Sequence, residues 1–312
     1  MSTSITTSYA GQFAGKYISA SLLSADTIEG NGITVKPNIK FKETLKVLST
    51  NALVKDASCD YSDQSQVTLT ERVLQPSEYE VNLTLCRKDF RNDWESVEMG
   101  YSAYDQLPPS FADFLIGHVS AKVAEKMEQN IWGGVDANAG EFDGLTVLMA
   151  ADSAVVDATT TETAFASGTI QAELAKVVDA IPSAVYGAED LAIYVPKKVA
   201  QLYIRSLNGF GASGVGANGL EGKGSMWYGN GAQLSYEGIP LFVCAGMPED
   251  HMVCARRENL YFGTGLMSDH NEVRVIDTAE SLGDQNVRIV MRFTAGVNYG
   301  VSQECVLYTL AS

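Results

Sequence analysis

The densest chemical suggestion in the chain is a run of glycines. Between Asn208 and Gly231 lie two G-x-G-x-x-G patterns, Gly209-Gly211-Gly214 and Gly214-Gly216-Gly219. Such glycines cradle a pyrophosphate only where a strand feeds straight into the turn and a helix starts from it, so that backbone amides face the phosphates. Here a helical pattern precedes the glycines and no periodic helix follows, so the stretch reads as a flexible surface loop. Gly222-Lys223-Gly224 is similar to the end of a P-loop, but Ala217 stands where the first glycine belongs and Gly224 where the hydroxyl belongs. The three histidines, His118, His251 and His270, lack the H-E-x-x-H or paired Cys/His spacing of a zinc site. Asp269, Glu272, Asp277, Glu280 and Asp284 form an acidic run without the glycine-kinked loop of a calcium site, and read as a solvated face. No G-x-S-x-G elbow occurs. The expectation is therefore no catalytic residue, no cofactor and no metal.

Composition narrows the function classes further. The 312 residues are 46% hydrophobic and 19% charged, which suits folded rather than disordered chain. Lys and Arg number 22 against 38 Asp and Glu, a net charge of −16. A chain this acidic is repelled by phosphate backbones unless a local basic face overrides the field, which argues against base-reading nucleic-acid binding. No apolar run is long enough to span a membrane, and the first 35 residues carry neither a basic segment nor a compact apolar one, so no signal peptide is expected. The Asn82-Leu83-Thr84 sequon is discounted for the same reason. Five scattered cysteines, Cys59, Cys86, Cys244, Cys254 and Cys305, form no C-x-x-C pair and read as reduced thiols.

The elements around these residues begin with a weak helical pattern over Tyr9–Ala25, diluted by Gly11, Gly15 and Ser19, and broken at Gly30-Asn31-Gly32. Ile33 to Pro37 reads as extended. This N-terminal stretch has too little apolar mass to bury itself and must lie on something else. Val67 to Val73 and Tyr79 to Leu85 alternate with period two, and the intervening Gln75-Pro76-Ser77-Glu78 reads as the turn of a β-hairpin. Such a ribbon is marginal alone in water and makes sense if a neighbouring subunit covers its apolar face.

Pro108-Pro109-Ser110 then opens a long helix, with Ser110 as N-cap and Asp113 three residues on. Phe111, Leu115, Val119, Val123, Met127 and Ile131 form its stripe; Lys122, Glu125, Lys126, Glu128 and Gln129 fall off it; Gly133-Gly134 ends it. Ile170 to Ile181 reads as a helix stopped by Pro182, Leu191–Val195 as a strand, and Pro196 as the start of another helix. The remainder reads as β: Leu234–Tyr236, a turn at Glu237-Gly238-Ile239-Pro240, Leu241–Cys244, one strand around Met252–Phe262, and a long alternation from Val287 to Val301 before Val306–Leu310. A chain with a grasping N-terminus, a ribbon, a long helix and two β-containing lobes, but no catalytic constellation, looks built to contact copies of itself.

Three segments in this order resemble the major capsid proteins of tailed bacteriophages, with the Hong Kong 97-type shell fold. The first is Ser110–Gly134 leading into Glu141-Phe142-Asp143-Gly144-Leu145. The second is Gln233-Leu234-Ser235-Tyr236-Glu237-Gly238-Ile239-Pro240-Leu241-Phe242-Val243 with Gly246-Met247-Pro248. The third is Asn259-Leu260-Tyr261-Phe262-Gly263-Thr264 with the strand Val287–Val301. The resemblance implies an α+β capsid fold with an N-terminal arm over 1–35 and an extended loop over 36–85. A peripheral domain with a spine helix would take 86–165 and 268–312, and an axial domain with a mixed sheet and flanking helices 166–267. It implies hexamers and pentamers in an icosahedral virion shell around double-stranded DNA, assembled in the host bacterial cytoplasm. The implied partners are the chain itself and a portal protein, with separate scaffolding and decoration proteins. Some relatives weld subunits through a Lys–Asn bond; Lys55 lies in the extended-loop region, but no acceptor or acidic catalyst matches by motif, so that activity is not carried over. Two other readings compete: an encapsulin-like nanocompartment shell, and a nucleotide- or sugar-handling enzyme using the lobe over 191–263.

Overall fold

The computed structural model describes residues 26–30, 32–50, 59, 67–86, 109–159, 163–207, 234–265, 273–278, 283 and 286–310. The helical pattern expected over Tyr9–Ala25 and the whole glycine-rich stretch from Asn208 to Gly231 lie outside these residues.

Chain order begins with a helical turn α1 (Asp26–Glu29) and strands β1 (Thr34–Lys36), β2 (Glu43–Thr50), β3 (Val67–Leu74) and β4 (Ser77–Cys86). The long helix α2 (Pro109–Gly133) follows, then α3 (Leu145–Ala151), β5 (Val156–Asp157), α4 (Ile170–Asp179), β6 (Leu191–Pro196) and α5 (Lys197–Leu207). The rest is β7 (Ser235–Tyr236), β8 (Ile239–Cys244), β9 (His251–Arg256), β10 (Leu260–Thr264), β11 (Val273–Asp277), β12 (Asn286–Tyr299) and β13 (Val306–Thr309). Among the described residues the strands form a five-stranded sheet of β1, β10, β12, β11 and β4, a six-stranded sheet in the order β5-β13-β9-β6-β8-β7, and a two-stranded ribbon of β2 and β3.

Helix α2 is 25 residues long, about 37 Å at 1.5 Å per residue. Ile116, Val119, Val123, Ala124, Met127 and Ile131 are buried along one side, as the four-residue period requires. The helix starts at Pro109, so Ser110 is inside it rather than capping it. Proline suits that first position because its φ is preset and the amide it lacks would have had no partner.

Two hydrophobic cores share β6. Ala192 and Tyr194 face the core that holds α2, α3 and the five-stranded sheet, while Leu191, Ile193 and Val195 face the core built with α4 and α5. All six β6 residues are buried, which explains a continuous apolar run rather than an alternation. Pro196 is the last residue of this strand and helix α5 starts after it, at Lys197.

The expected β3–β4 hairpin does not form. β3 pairs antiparallel with β2, from Glu43↔Leu74 to Thr50↔Val67, whereas β4 pairs with β12 over ten residues from Cys86↔Asn286 to Ser77↔Ala295. The connection Gln75-Pro76 is two residues long, and two-residue hairpin loops of type I′ or II′ put positive φ on the first residue, which disfavours Gln75, while type I′ also puts it on the second, which the Pro76 ring forbids. The chain instead steps from the ribbon into the large sheet. The ribbon's own far connection spans 51–66, of which only Cys59 is among the described residues.

Two further expectations shift. Met252–Phe262 is two strands in different sheets, β9 and β10, separated by a 3-10 turn at Arg257–Asn259. Asn259 holds that crossing: its Nδ2 donates to Val301 O at 2.8 Å, and its Oδ1 accepts from Gly300 N and Val301 N at 3.1 and 2.7 Å. The β7–β8 turn is only Glu237-Gly238, both at positive φ, with Ile239 and Pro240 already in β8.

Candidate assembly surface

The ribbon presents the most exposed apolar surface among the described residues. Register places Leu48 opposite Leu69, with Val67 and Val73 on the same face of β3 and the charged pair Lys46 and Glu71 between Leu69 and Val73, because cross-strand partners project to the same side. Leu48, Val67, Leu69 and Val73 are 62%, 57%, 66% and 44% exposed, and Phe41, just before the ribbon, is 66% exposed. Apolar side chains exposed together, here Leu48, Val67 and Leu69, mark a surface that another molecule covers. The sequence led us to expect an apolar ribbon face of this kind, but assigned it to β3 and β4 rather than β2 and β3.

The root of the ribbon is fixed to the body. Arg72 pairs with Asp152 and donates to Ser302 Oγ, and its guanidinium lies 4.2 Å from the centroid of the Tyr299 ring. Tyr299 OH and Ser302 Oγ each donate to Asp152 Oδ2 at 2.9 Å, and Ala154 N donates to Asp152 Oδ1 at 3.0 Å. The Ala154 amide, together with Arg72, Ser302 and Tyr299 and against the effect of burial, holds the Asp152 carboxyl well below the usual carboxylate range. Burial and donation to Asp152 push the Tyr299 hydroxyl up to about 12. Asn298 Nδ2 adds a bond to Val73 O at 2.8 Å, and Leu74, fully buried, plugs the ribbon root into the body.

A second joint ties α2 to the six-stranded sheet. Glu128, expected off the stripe, is buried: it accepts from Thr27 N at 3.3 Å and from the Thr27 hydroxyl. Trp132 Nε1 donates to Thr27 Oγ1 at 2.8 Å, and the Trp132 and Tyr194 rings pack at a 42° tilt with centroids 5.1 Å apart. Tyr194 OH donates to Gly32 O. Ala124, Glu128 and Trp132 recur every fourth residue beside the apolar stripe, which is the sequence signal for a second buried row. Thr27, Ile28, Gly32 and Ile33 thus wedge between helix and sheet.

Two glycines let backbones meet here. A Cβ on Gly246 would lie 2.2 Å from Glu128 O, and one on Gly144 would lie 2.5 Å from Trp132 O. The motifs Glu141–Leu145 and Gly246–Pro248, quoted above for the family resemblance, are therefore the two segments pressed against the last turns of α2. Lys126 bonds to Glu141, and with the Asn138 amide and Val135 N this holds the Glu141 carboxyl down to about 2.

None of the sequence's chemical candidates is gathered into a reactive site among the described residues. His118 is exposed on α2, and His251 pairs with its neighbour Asp250 at 2.8 Å. His270, Lys55, Asp269, Glu272, Glu280 and Asp284 lie outside the described residues. Among the described residues no group of three His, Cys, Asp or Glu side chains is placed to hold a metal ion, and no helix is long and apolar enough to cross a membrane. No two of the five cysteines are joined in a disulfide, and burial pushes the Cys254 and Cys305 thiols up to about 12, far from a reactive thiolate. A concavity of about 300 Å³ beside the β7–β8 turn is lined by Tyr186, Glu189, Leu191, Glu237, Ile239 and Pro240. Its two carboxylates would repel a nucleotide's phosphates.

No protein-family model and no curated protein matches the sequence. Solved structures do match, nearly end to end. The chain is similar to the capsid of the native GTA particle at 13% identity, over 93% of this chain and 91% of that one, with a TM-score of 0.58. It has the Hong Kong 97-type capsid fold. The same fold carries the satellite phage P4 procapsid, which includes the size determination (Sid) protein (10% identity, 94% and 98% covered, TM-score 0.55). It also carries the virus-like particle from Pyrococcus furiosus (7% identity, 94% and 96% covered, TM-score 0.51). Within this capsid fold the exposed ribbon and the joint at the end of α2 are the features that the present residues define.

Proposed function

We propose that the chain is the major capsid protein of a tailed bacteriophage, a structural rather than catalytic protein that self-assembles as hexamers and pentamers into an icosahedral shell around double-stranded DNA. The observation that carries this is the match to capsid chains over more than nine-tenths of both sequences. The ribbon's exposed apolar face supports it from the residues upward, since a surface of that kind is stable in water only when a neighbour covers it. In this reading 1–35 is the arm, 36–85 the extended loop, 86–165 and 268–312 the peripheral domain, and 166–267 the axial domain. Assembly takes place in the host cytoplasm, with a portal protein and with separate scaffolding and decoration proteins as further partners. A procapsid with a size-determining protein among the fold neighbours fits such help.

The test is electron microscopy of the full-length chain expressed alone and with candidate scaffolding proteins. Closed shells are expected. A chain that stays monomeric under both conditions would overturn the reading. The virus-like particle among the neighbours favours one alternative, a cellular nanocompartment; enzyme cargo instead of DNA in natively purified particles would select it.

A further inference from the structure

Among the described residues only two that are not glycine hold a left-handed backbone, Asn38 at φ 66° and Glu237 at φ 49°. Asparagine tolerates that region through short local hydrogen bonds; glutamate does not, and the position costs about 1 to 2 kcal/mol. Strain of this kind persists where the surrounding structure fixes a segment, and it gathers at sites of contact. Each of the two residues borders an exposed surface. After β1 the chain turns at Asn38, whose N donates to Gly265 O at 2.9 Å, while Ile39 N donates to Thr264 O at 3.0 Å. Ile39 and Leu45 are buried, so the segment between them is pinned at both ends. On it Lys40, Phe41 and Lys42 are all exposed, Phe41 by 66%. Lys36 is held by Glu43, but neither Lys40 nor Lys42 pairs with a described carboxylate. A phenyl ring held in water between two unpaired cations, in a chain of net charge −16, fits an apolar socket with acidic walls.

The concavity of about 300 Å³ at the β7–β8 turn has that chemistry. Leu191, Ile239 and Pro240 give it an apolar wall, and Tyr186, 55% exposed, gives it an aromatic one. Glu189 and Glu237 are exposed at its rim, and no described cation pairs with either. A cavity of about 150 Å³ already holds benzene, so a phenylalanine side chain has room. The left-handed pair Glu237-Gly238 fixes one side of the rim. Phe41 is held away from the socket of its own chain. Arg257 N donates to Asp190 O, beside Glu189 and Leu191, which sets the socket near the start of β10, whereas Asn38 and Ile39 bond to Gly265 and Thr264 at its far end. The five residues of β10 lie between them, about 16 Å of strand. Two complementary surfaces at opposite ends of one strand make a heterologous contact between copies, not a contact within one.

We propose that the socket of Tyr186, Glu189 and Glu237 receives the Lys40-Phe41-Lys42 segment of a second copy of this chain. This rests on the capsid reading and names a contact between its subunits that is separate from the ribbon face. Phe41 gives up its exposed surface against Leu191, Ile239 and Pro240, as a buried aromatic anchor does. The two ammonium groups meet the two carboxylates at the rim, where charge sets orientation and excludes the wrong register.

Photo-cross-linking tests it on the full-length chain. A photoreactive benzophenone side chain replaces the Phe41 ring, and this chain is mixed with an isotope-labelled one that keeps Phe41. After irradiation, mass spectrometry is expected to find the benzophenone joined to labelled peptides that hold Tyr186–Leu191 or Glu237–Pro240. Glu189→Lys with Glu237→Lys in the labelled chain should cut that yield at least about tenfold. Lys40→Glu with Lys42→Glu in the photoreactive chain should then bring it back to within about twofold. Circular dichroism separates loss of fold from loss of contact. The proposal is overturned if no adduct forms, if adducts fall on other surfaces or within one chain, or if the charge reversals leave the yield unchanged. Microscopy of the same mixtures tests the capsid reading separately. Socket adducts without closed shells would support the contact and sink that reading, and closed shells without socket adducts would sink the contact alone.

Discussion

Arg72 stacks on Tyr299, its guanidinium 4.2 Å from the ring centroid, and this contact ties the ribbon to the end of the longest strand. The side chains of Arg72 and Asp152 are 28% and 23% exposed, so their pairing is only partly screened. Arg72→Ala removes the cation–π contact and the charged bond together, and should cost about 2 kcal/mol. The loss should be local to the ribbon. Hydrogen exchange of the β2 and β3 amides would show faster opening, while amides of β6 and β9 stay protected. Uniform acceleration across both sheets would contradict the assignment of Arg72 as a ribbon anchor.

The same cluster predicts an acid sensitivity. Asp152 has its carboxyl held below its ordinary 3.8 in the folded chain, by the Ala154 amide first and by Arg72, Ser302 and Tyr299 with it. Its stabilisation is therefore fully present above the ordinary value and is lost as pH falls through the folded one. Asp152→Asn should be less stable than wild type at neutral pH, and the gap should narrow between about pH 4 and pH 2. Urea midpoints for both chains across that range check it; parallel pH curves would show that the carboxylate's partners add nothing.

These two predictions concern residues that no local pattern announced. Val287, Ile289, Met291 and Phe293 were legible because β12 buries one face only, and the α2 stripe because a helix against one core repeats every fourth residue. Arg72 was not legible, since Asp152, Tyr299 and Ser302 reach it from far along the chain. Glu128 looked like solvent-facing charge until Thr27, a hundred residues away in sequence, supplied its hydrogen bonds. Strand partnership failed for a similar reason. β3 and β4 both alternate correctly, but which strand each pairs with depends on β2 and β12, and Gln75-Pro76, which suits no tight hairpin loop, was read only as part of a turn.

Gly246 makes a sharper test of the joint between α2 and the six-stranded sheet. Its missing Cβ leaves room for the Glu128 carbonyl, and an added methyl would sit 2.2 Å from that oxygen. Backbone cannot move aside as a side-chain tip can, so Gly246→Ala should destabilise by about 3 kcal/mol or more. Thermal unfolding decides this; a melting temperature unchanged from wild type would mean the two backbones are not in contact.

Thr27 tests the polar side of that joint. Its hydroxyl donates to the buried Glu128 and accepts from Trp132 Nε1 at 2.8 Å. Thr27→Val keeps the shape and removes both bonds, leaving a buried carboxylate and an indole N–H each one partner poorer. The expected cost is about 2 to 4 kcal/mol, whereas Thr27→Ser, which keeps the hydroxyl, should cost about 1 kcal/mol or less. Equal effects from the two substitutions would mean that packing, and not hydrogen bonding, makes Thr27 matter.

Leu69 separates folding from assembly. Its side chain is 66% exposed and faces Leu48 across the ribbon, so the isolated subunit loses almost no buried surface when it is replaced. Leu69→Asp should leave the monomer's stability within about 0.5 kcal/mol of wild type, as surface changes do. In a shell the same carboxylate would be desolvated under a neighbour without a partner, at a cost of several kcal/mol per subunit repeated at every contact. Closed particles should therefore vanish from the micrographs while soluble, folded chain accumulates. If Leu69→Asp instead assembles normally, the apolar face of the ribbon is not the surface that neighbouring subunits cover.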